Sequence, residues 1–276
     1  MEWLIREKCK DEYGILHLQN IILNIMQDID LICKKNDIQY YIIGGTALGA
    51  VRHGGFIPWD DDLDIAMTRD NYEKFCKIFR EQSDKNKYYF QESLVDWSGY
   101  YSKVRLLGTY LGEVEFERNI PKAKRGIFID IFPLDKVPNK RISQLFWYFC
   151  GKILVAHALL KRGYSTATLK KKIIMALTFP LYLKPIHNLF YNYIRTYNNK
   201  QTNYMGGFTL ISNFKNTITP TYIWGKPVYV NFETIQLQAS SENDKFLKFY
   251  FGDYMQMPPI NARFSKHMVN IDYGIY

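Results

Sequence analysis

Apolar side chains at Ile15, Leu18, Ile22, Ile25, Met26, Ile29 and Ile32 recur at intervals close to a helical turn. This spacing predicts a helix over residues 15–36 with one face in a core. The next stretch, IQYYIIGG, is β-branched and aromatic and ends in two glycines, which predicts a short strand. TALGAVRHGG predicts a short helix with Thr46 as its N-cap and Gly54 past its end. DLDIAM predicts a strand, after which Thr68 can cap a helix that carries Tyr72, Phe75, Cys76 and Phe79 on one face. KYYFQES, YSKVRLL and GIFIDIF predict further strands, so residues 1–138 read as a mixed α/β (α+β) unit with a small sheet.

Beyond residue 138 the pattern changes to longer apolar segments at helical spacing that carry Lys and Arg, interrupted by Gly163, Pro180 and Pro185. Residues 139–227 read as an added, mainly helical region. None of its apolar runs approaches the ~20 residues of a membrane span, the longest being IIMALTFPLYL with a proline inside. Residues 228–276 return to strand-like sequence, then a helix over 244–251 that Gly252 can end, then a Pro258-Pro259 stop; this segment is expected to complete the core.

A chain of 276 residues that is 47% hydrophobic buries a sizeable core and is not disordered. Its start, MEWLIREKCKDEYG, carries acids and lacks the apolar run of ~7–15 residues of a signal peptide, which points to the cytoplasm. Cys9, Cys33, Cys76 and Cys150 follow no zinc or disulfide spacing and read as buried free thiols. The formal charge is +9, but its distribution says more. From Lys136 to Phe232 there is no Asp or Glu and there are 14 Lys and Arg, which leaves 22 basic against 27 acidic residues elsewhere. Such asymmetry predicts two surfaces with different partners.

GGFIPWDDDLDIA puts four aspartates within five positions. On a strand Asp62 and Asp64 share a face, and two carboxylates on one face chelate a hard cation. Asp60 has the same parity but lies where the chain still turns; Asp61 has the other parity and reads as a cap or supporting group. A calcium loop fails, because its sixth place is Ile65 rather than glycine and its twelfth is Asn71 rather than glutamate. Asp130, alone in the apolar run GIFIDIF, is a candidate third carboxylate, with a structural salt bridge as the competing explanation. Upstream, Gly44 and Gly45 stand between a strand and a helix N-terminus, a place that favours phosphate. A glycine turn followed about 17 residues later by Asp-x-Asp is the arrangement of nucleotidyltransferase-type phosphoryl transfer with Mg²⁺.

GGTALGAVRHGGFIPWDDDLDIA closely resembles the signature of the LicD family of phosphocholine transferases and fukutin-related proteins; GIFIDIFPLD and YFGDYMQMPP look like its second and third motifs. The resemblance covers about 45 residues, with weaker similarity in KVRLLGT. It implies a nucleotidyltransferase-like fold that moves a phosphoryl-linked group from a nucleotide-activated donor, typically CDP-choline, to a cell-surface glycan such as teichoic acid, capsule or lipopolysaccharide. By motif position Asp62 and Asp64 would ligate Mg²⁺ (or Mn²⁺), Asp130 would complete the acidic site, and Gly44, Gly45 and Thr46 would line the donor phosphates. Arg52 either clamps a phosphate or caps the short helix, and His53 either acts as general base or packs. Lys103 and Arg105 share a strand face and can add positive charge near a diphosphate. Trp59 and Tyr254 offer aromatic faces for a quaternary ammonium, although an aromatic content of 16% makes such faces common.

For the acid-free stretch three readings stand: a face on anionic lipid at the inner side of the cell membrane, a groove for a polyanionic acceptor, or plain core. No nucleic-acid motif is visible. Within enzymes the rival is a nucleotidyltransferase releasing pyrophosphate; outside them it is a non-catalytic nucleotide-binding protein of a glycan-assembly complex.

Overall fold

The β-branched and aromatic runs on either side of the aspartates pair into one mixed sheet. The computed structural model describes residues 11–112, 120–164, 166, 168–210, 213–264 and 270–276; Cys9 and the N-terminal expectation lie outside them. The first part comprises α1 (Leu16–Lys35), β1 (Tyr41–Ile42), α2 (Gly44–Arg52), β2 (Asp64–Thr68), α3 (Arg69–Gln82), β3 (Tyr88–Gln91), β4 (Ser102–Leu106), β5 (Tyr110–Gly112) and β6 (Phe128–Val137). Then come α4 (Arg141–Lys161), α5 (Leu169–Ala176), α6 (Lys184–Arg195), β7 (Tyr204–Gly206), α7 (Phe214–Thr217), β8 (Ile218–Pro220) and α8 (Thr221–Trp224). β9 (Pro227–Phe232), β10 (Ile235–Ser240), α9 (Asn243–Phe251) and β11 (Asn270–Asp272) close the chain.

The sheet runs in the order β1-β2-β6-β4-β3. Its β2 and β6 are parallel and the other pairs antiparallel, the α+β arrangement expected. α1 buries Leu18, Ile22, Ile25, Met26 and Ile29 against it, and α3 buries Tyr72, Phe75, Cys76 and Phe79. Ile127, Ile129 and Ile131 lie wholly inside, which turns Asp130 to the opposite face. Cys33, Cys76 and Cys150 are free and buried, as expected.

β6 outlasts the predicted strand. Its last residues pair with β7, and β7 with β8, so the sheet continues into a second core built from Val137, Trp147, Cys150, Leu154, Ile194, Phe208 and Ile218. Met205, Trp224, Phe232, Leu237 and Phe246 return to the first core.

Several expectations need correction. The strand before α2 shrinks to two residues, because Gly44 at φ +57° turns the chain straight into the helix. Ile43, not Thr46, is the N-cap. Thr68 does stand at the N-cap of α3, but its hydroxyl accepts from Asn71 Nδ2 at 3.0 Å instead of from the backbone. β2 begins only at Asp64, so strand parity does not govern residues 60–63. Among the described residues one helix, the 21-residue α4, has the length and composition to cross a membrane, although Gln144, Lys152 and His157 break its apolar run. One side of it packs into the second core through Trp147, Cys150 and Leu154.

Candidate active site

The register of the sheet brings the charged residues together. Asp64 on β2 pairs with Asp130 on β6, Asp130 with Lys103 on β4, and Lys103 with Gln91 on β3. In-register neighbours share a face, so these four side chains form a row across four strands. Lys103, only 1% exposed, places its ammonium 2.9 Å from Asp130 Oδ1 and 3.5 Å from the centre of the Phe128 ring. The salt bridge weighed for Asp130 is therefore present, inside the acidic site itself.

The aspartate loop is held above this row by residues from two helices. Gln19, a buried polar group of α1, donates to the carbonyls of Ile57 at 3.1 Å and Asp60 at 2.6 Å. Thr46 is buried in α2, and its hydroxyl accepts the Asp64 backbone N–H at 3.0 Å. Asp60, Asp61 and Asp62 bring one carboxylate oxygen each within 4.8 Å of the others. Gly45 makes room for this, since a Cβ there would collide with the Asp60 carboxylate, whereas one on Gly44 would lie 3.8 Å from Asp64 Oδ2, an ordinary contact. Burial, then repulsion from Asp62, Asp130 and Asp60, hold the Asp64 carboxyl well above the usual carboxylate range, with Lys103 opposing. Carboxylates gathered this closely are a set of oxygen donors that could hold a hard cation.

A second, positive cluster lies at the other end of α2. Arg52 Nη1 donates to the Tyr254 carbonyl at 3.0 Å, while its buried Nε has no hydrogen-bond partner among the described residues. Arg263 stands close enough that it, after desolvation, lowers the pKa of Arg52. Its guanidinium carbon lies 5.5 Å from the centre of the Trp59 ring, which also meets Tyr13 at 5.7 Å and His53 at 6.2 Å. Among the described residues neither guanidinium has a carboxylate partner.

Thus Asp62, Asp64, Asp130, Lys103, Gly44, Gly45 and Thr46 meet around one end of α2, and Arg52 and His53 lie at the other. Arg105 is corrected: it is fully buried, bonded to Gln91 Oε1 at 2.6 Å and the Gly126 carbonyl at 3.1 Å, and turns no edge outward. The loop, being free of strand parity, brings the Asp61 carboxylate in beside those of Asp60 and Asp62. The Tyr254 ring is engaged through its hydroxyl, which donates to Asp244 at 3.1 Å. Sequence reasoning missed Gln19 and Arg263. Gln19 was findable as a polar residue on the buried face of α1, whereas nothing local marks Arg263.

Residues 37–152 match the family described as LicD/FKTN/FKRP, nucleotidyltransferase domain. Over 264 residues the chain is 30% identical to the lipopolysaccharide cholinephosphotransferase LicD of Haemophilus influenzae, covering 91% of this chain and 94% of that one. The chain belongs to the LicD family. It is 28% identical to an uncharacterised Rickettsia prowazekii protein over 61% of this chain and 69% of that one. An uncharacterised Rickettsia typhi protein is 46% identical over 57 residues, 21% of this chain and 18% of that one. As a LicD-type phosphotransferase, the protein carries its whole carboxylate row and Lys103 inside the region that matches the family.

Proposed function

We propose that this LicD-family enzyme transfers phosphocholine, or a closely similar phospho-substituent, from a nucleotide diphosphate donor such as CDP-choline to a hydroxyl of a cell-surface glycan. The observation that carries the reading is the likeness to a lipopolysaccharide cholinephosphotransferase along nearly its full length. Lipopolysaccharide is accordingly the first acceptor to test, ahead of teichoic acid and capsule precursors.

The oxygen donors of Asp62 and Asp64, with Asp60, Asp61 and Asp130 around them, suit a hard divalent cation, and their mutual repulsion favours one. Asp62, Asp64 and Asp130 would hold Mg²⁺ or Mn²⁺, which supplies neutralisation of charge on the donor diphosphate. Lys103 offsets the charge of Asp130 and orients it. Arg52 and Arg263 offer donors to an anion, and the face of Trp59, which already receives a guanidinium, suits the choline ammonium. His53, beside Trp59, is the candidate base for the acceptor proton. The acceptor oxygen attacks the phosphorus of the transferred group, the bond to the departing CMP oxygen breaks, and the hydroxyl proton passes to the base.

The test incubates the protein, Mg²⁺ and extracted glycolipids with CDP-choline, CDP-glycerol, CDP-ribitol and UDP-sugars in parallel. CMP release with a phosphocholine mass gain on the glycolipid is expected, and it should fall at least about 100-fold in Asp62→Asn and Asp64→Asn. Pyrophosphate release from a nucleoside triphosphate would replace this reading with nucleotidyl transfer. Nucleotide binding without turnover of any donor would favour a non-catalytic role.

A further inference from the structure

Midway along, the acid-free region makes a bend with large apolar side chains exposed. The helical segments Lys171–Tyr182 and Lys184–Arg195 meet at 108°, and the turn between them is tied to α4 from within. Thr178 and Leu181 are buried, and the Tyr182 ring meets the ring of His157 at 4.7 Å. The apolar residues flanking and between these anchors face outward: Leu177 is 58% exposed, Phe179 74% and Leu183 61%. Leu169 and Ile173, four residues apart and exposed, continue the stripe of Leu177 along α5. Anchored, large apolar side chains left outside a fold mark a surface that something else covers.

The charges around the bend say what covers it. Lys171 and Lys172 before Ile173, and Lys184 after Leu183, are exposed, and no Asp or Glu occurs in the sequence between Lys136 and Phe232. An apolar ridge rimmed by lysines, with no acid in its segment, complements an anionic lipid surface: the ridge enters the acyl boundary while the ammonium groups stay at the headgroups. A protein partner would normally supply apolar surface with mixed charge. We infer that the α5–α6 bend is a monotopic docking surface for an anionic bilayer, with Leu177, Phe179 and Leu183 as the inserted residues. The inference does not depend on which group the enzyme transfers, because binding is read without turnover.

The experiment floats the full chain with vesicles of phosphatidylcholine, with and without phosphatidylglycerol. The parent should bind the phosphatidylglycerol vesicles and be released by salt. The double variant Phe179→Glu/Leu183→Glu should lower binding at least about tenfold. Lys171→Glu/Lys172→Glu should lower binding to the anionic vesicles while leaving any residual binding to pure phosphatidylcholine unchanged. Both double variants alter exposed side chains, so their thermal unfolding should match the parent. A parent that ignores both vesicles, or a Phe179→Glu/Leu183→Glu protein that binds as well as the parent, overturns the inference. Light scattering on the same proteins covers the other occupant: a dimer of the parent that this variant splits, with no change in vesicle binding, would assign the ridge to a second copy instead.

Discussion

At the scale of single residues the acid site rests on contacts of a few ångströms. Gly45 is tested by one methyl group. In Gly45→Ala the new Cβ would collide with the Asp60 carboxylate and push it out of the group it forms with Asp61 and Asp62. The expected result is at least about a tenfold loss of Mn²⁺ affinity by calorimetry, with the thermal midpoint nearly unchanged. The Cβ that Gly45 lacks leaves room for the Asp60 carboxylate. Asp64 and Asp130 were legible, because β-branched neighbours define a strand face and an aspartate on it is conspicuous. Asp61 was not, since parity applies only where the chain is extended, and residues 60–63 are not on a strand.

Between elements the decisive contact is Arg69 with Asp135. The first residue of α3 donates through Nε at 2.8 Å and Nη2 at 2.7 Å to a carboxylate on β6, with both side chains buried and Asn198 Nδ2 donating to the same group at 2.7 Å. Asp135 stands where β6 passes from the first sheet partners to β7. Asp135→Ala leaves the guanidinium buried without its anion, and it should destabilise the protein by about 3–5 kcal/mol in urea unfolding. The long helices α1, α3 and α4 could be read from periodicity alone. β7 and β8, of three residues each, could not, since YMG and ITP carry no alternation and become strands only by pairing with β6 and with each other.

Over the whole molecule, two cores share one sheet, and the second carries a titratable weak point. His157 on α4 is buried, and burial, with Lys161 and His187 adding, pushes its pKa down to about 4. In the unfolded chain it titrates near 6.5, so the unfolded state takes up a proton first as the pH falls. The stability His157 contributes is complete above pH 6.5 and is lost between there and about 4. The thermal midpoint should therefore drop between pH 7 and pH 5, and His157→Gln should flatten that slope; equal slopes in both proteins would clear His157 of the role. The opposite electrostatic character of the two parts was visible in the sequence, whereas their fusion through one strand was not.

That strand has a mechanical meaning. β6 holds Asp130 near one end, and a few residues later, with no turn or glycine between, pairs with β7 and leads into α4. A continuous extended strand leaves no hinge between Asp130 and the residues of β6 that open the second core. The acidic cluster and the second core thus hang from one beam, with no joint along β6 about which either could swing.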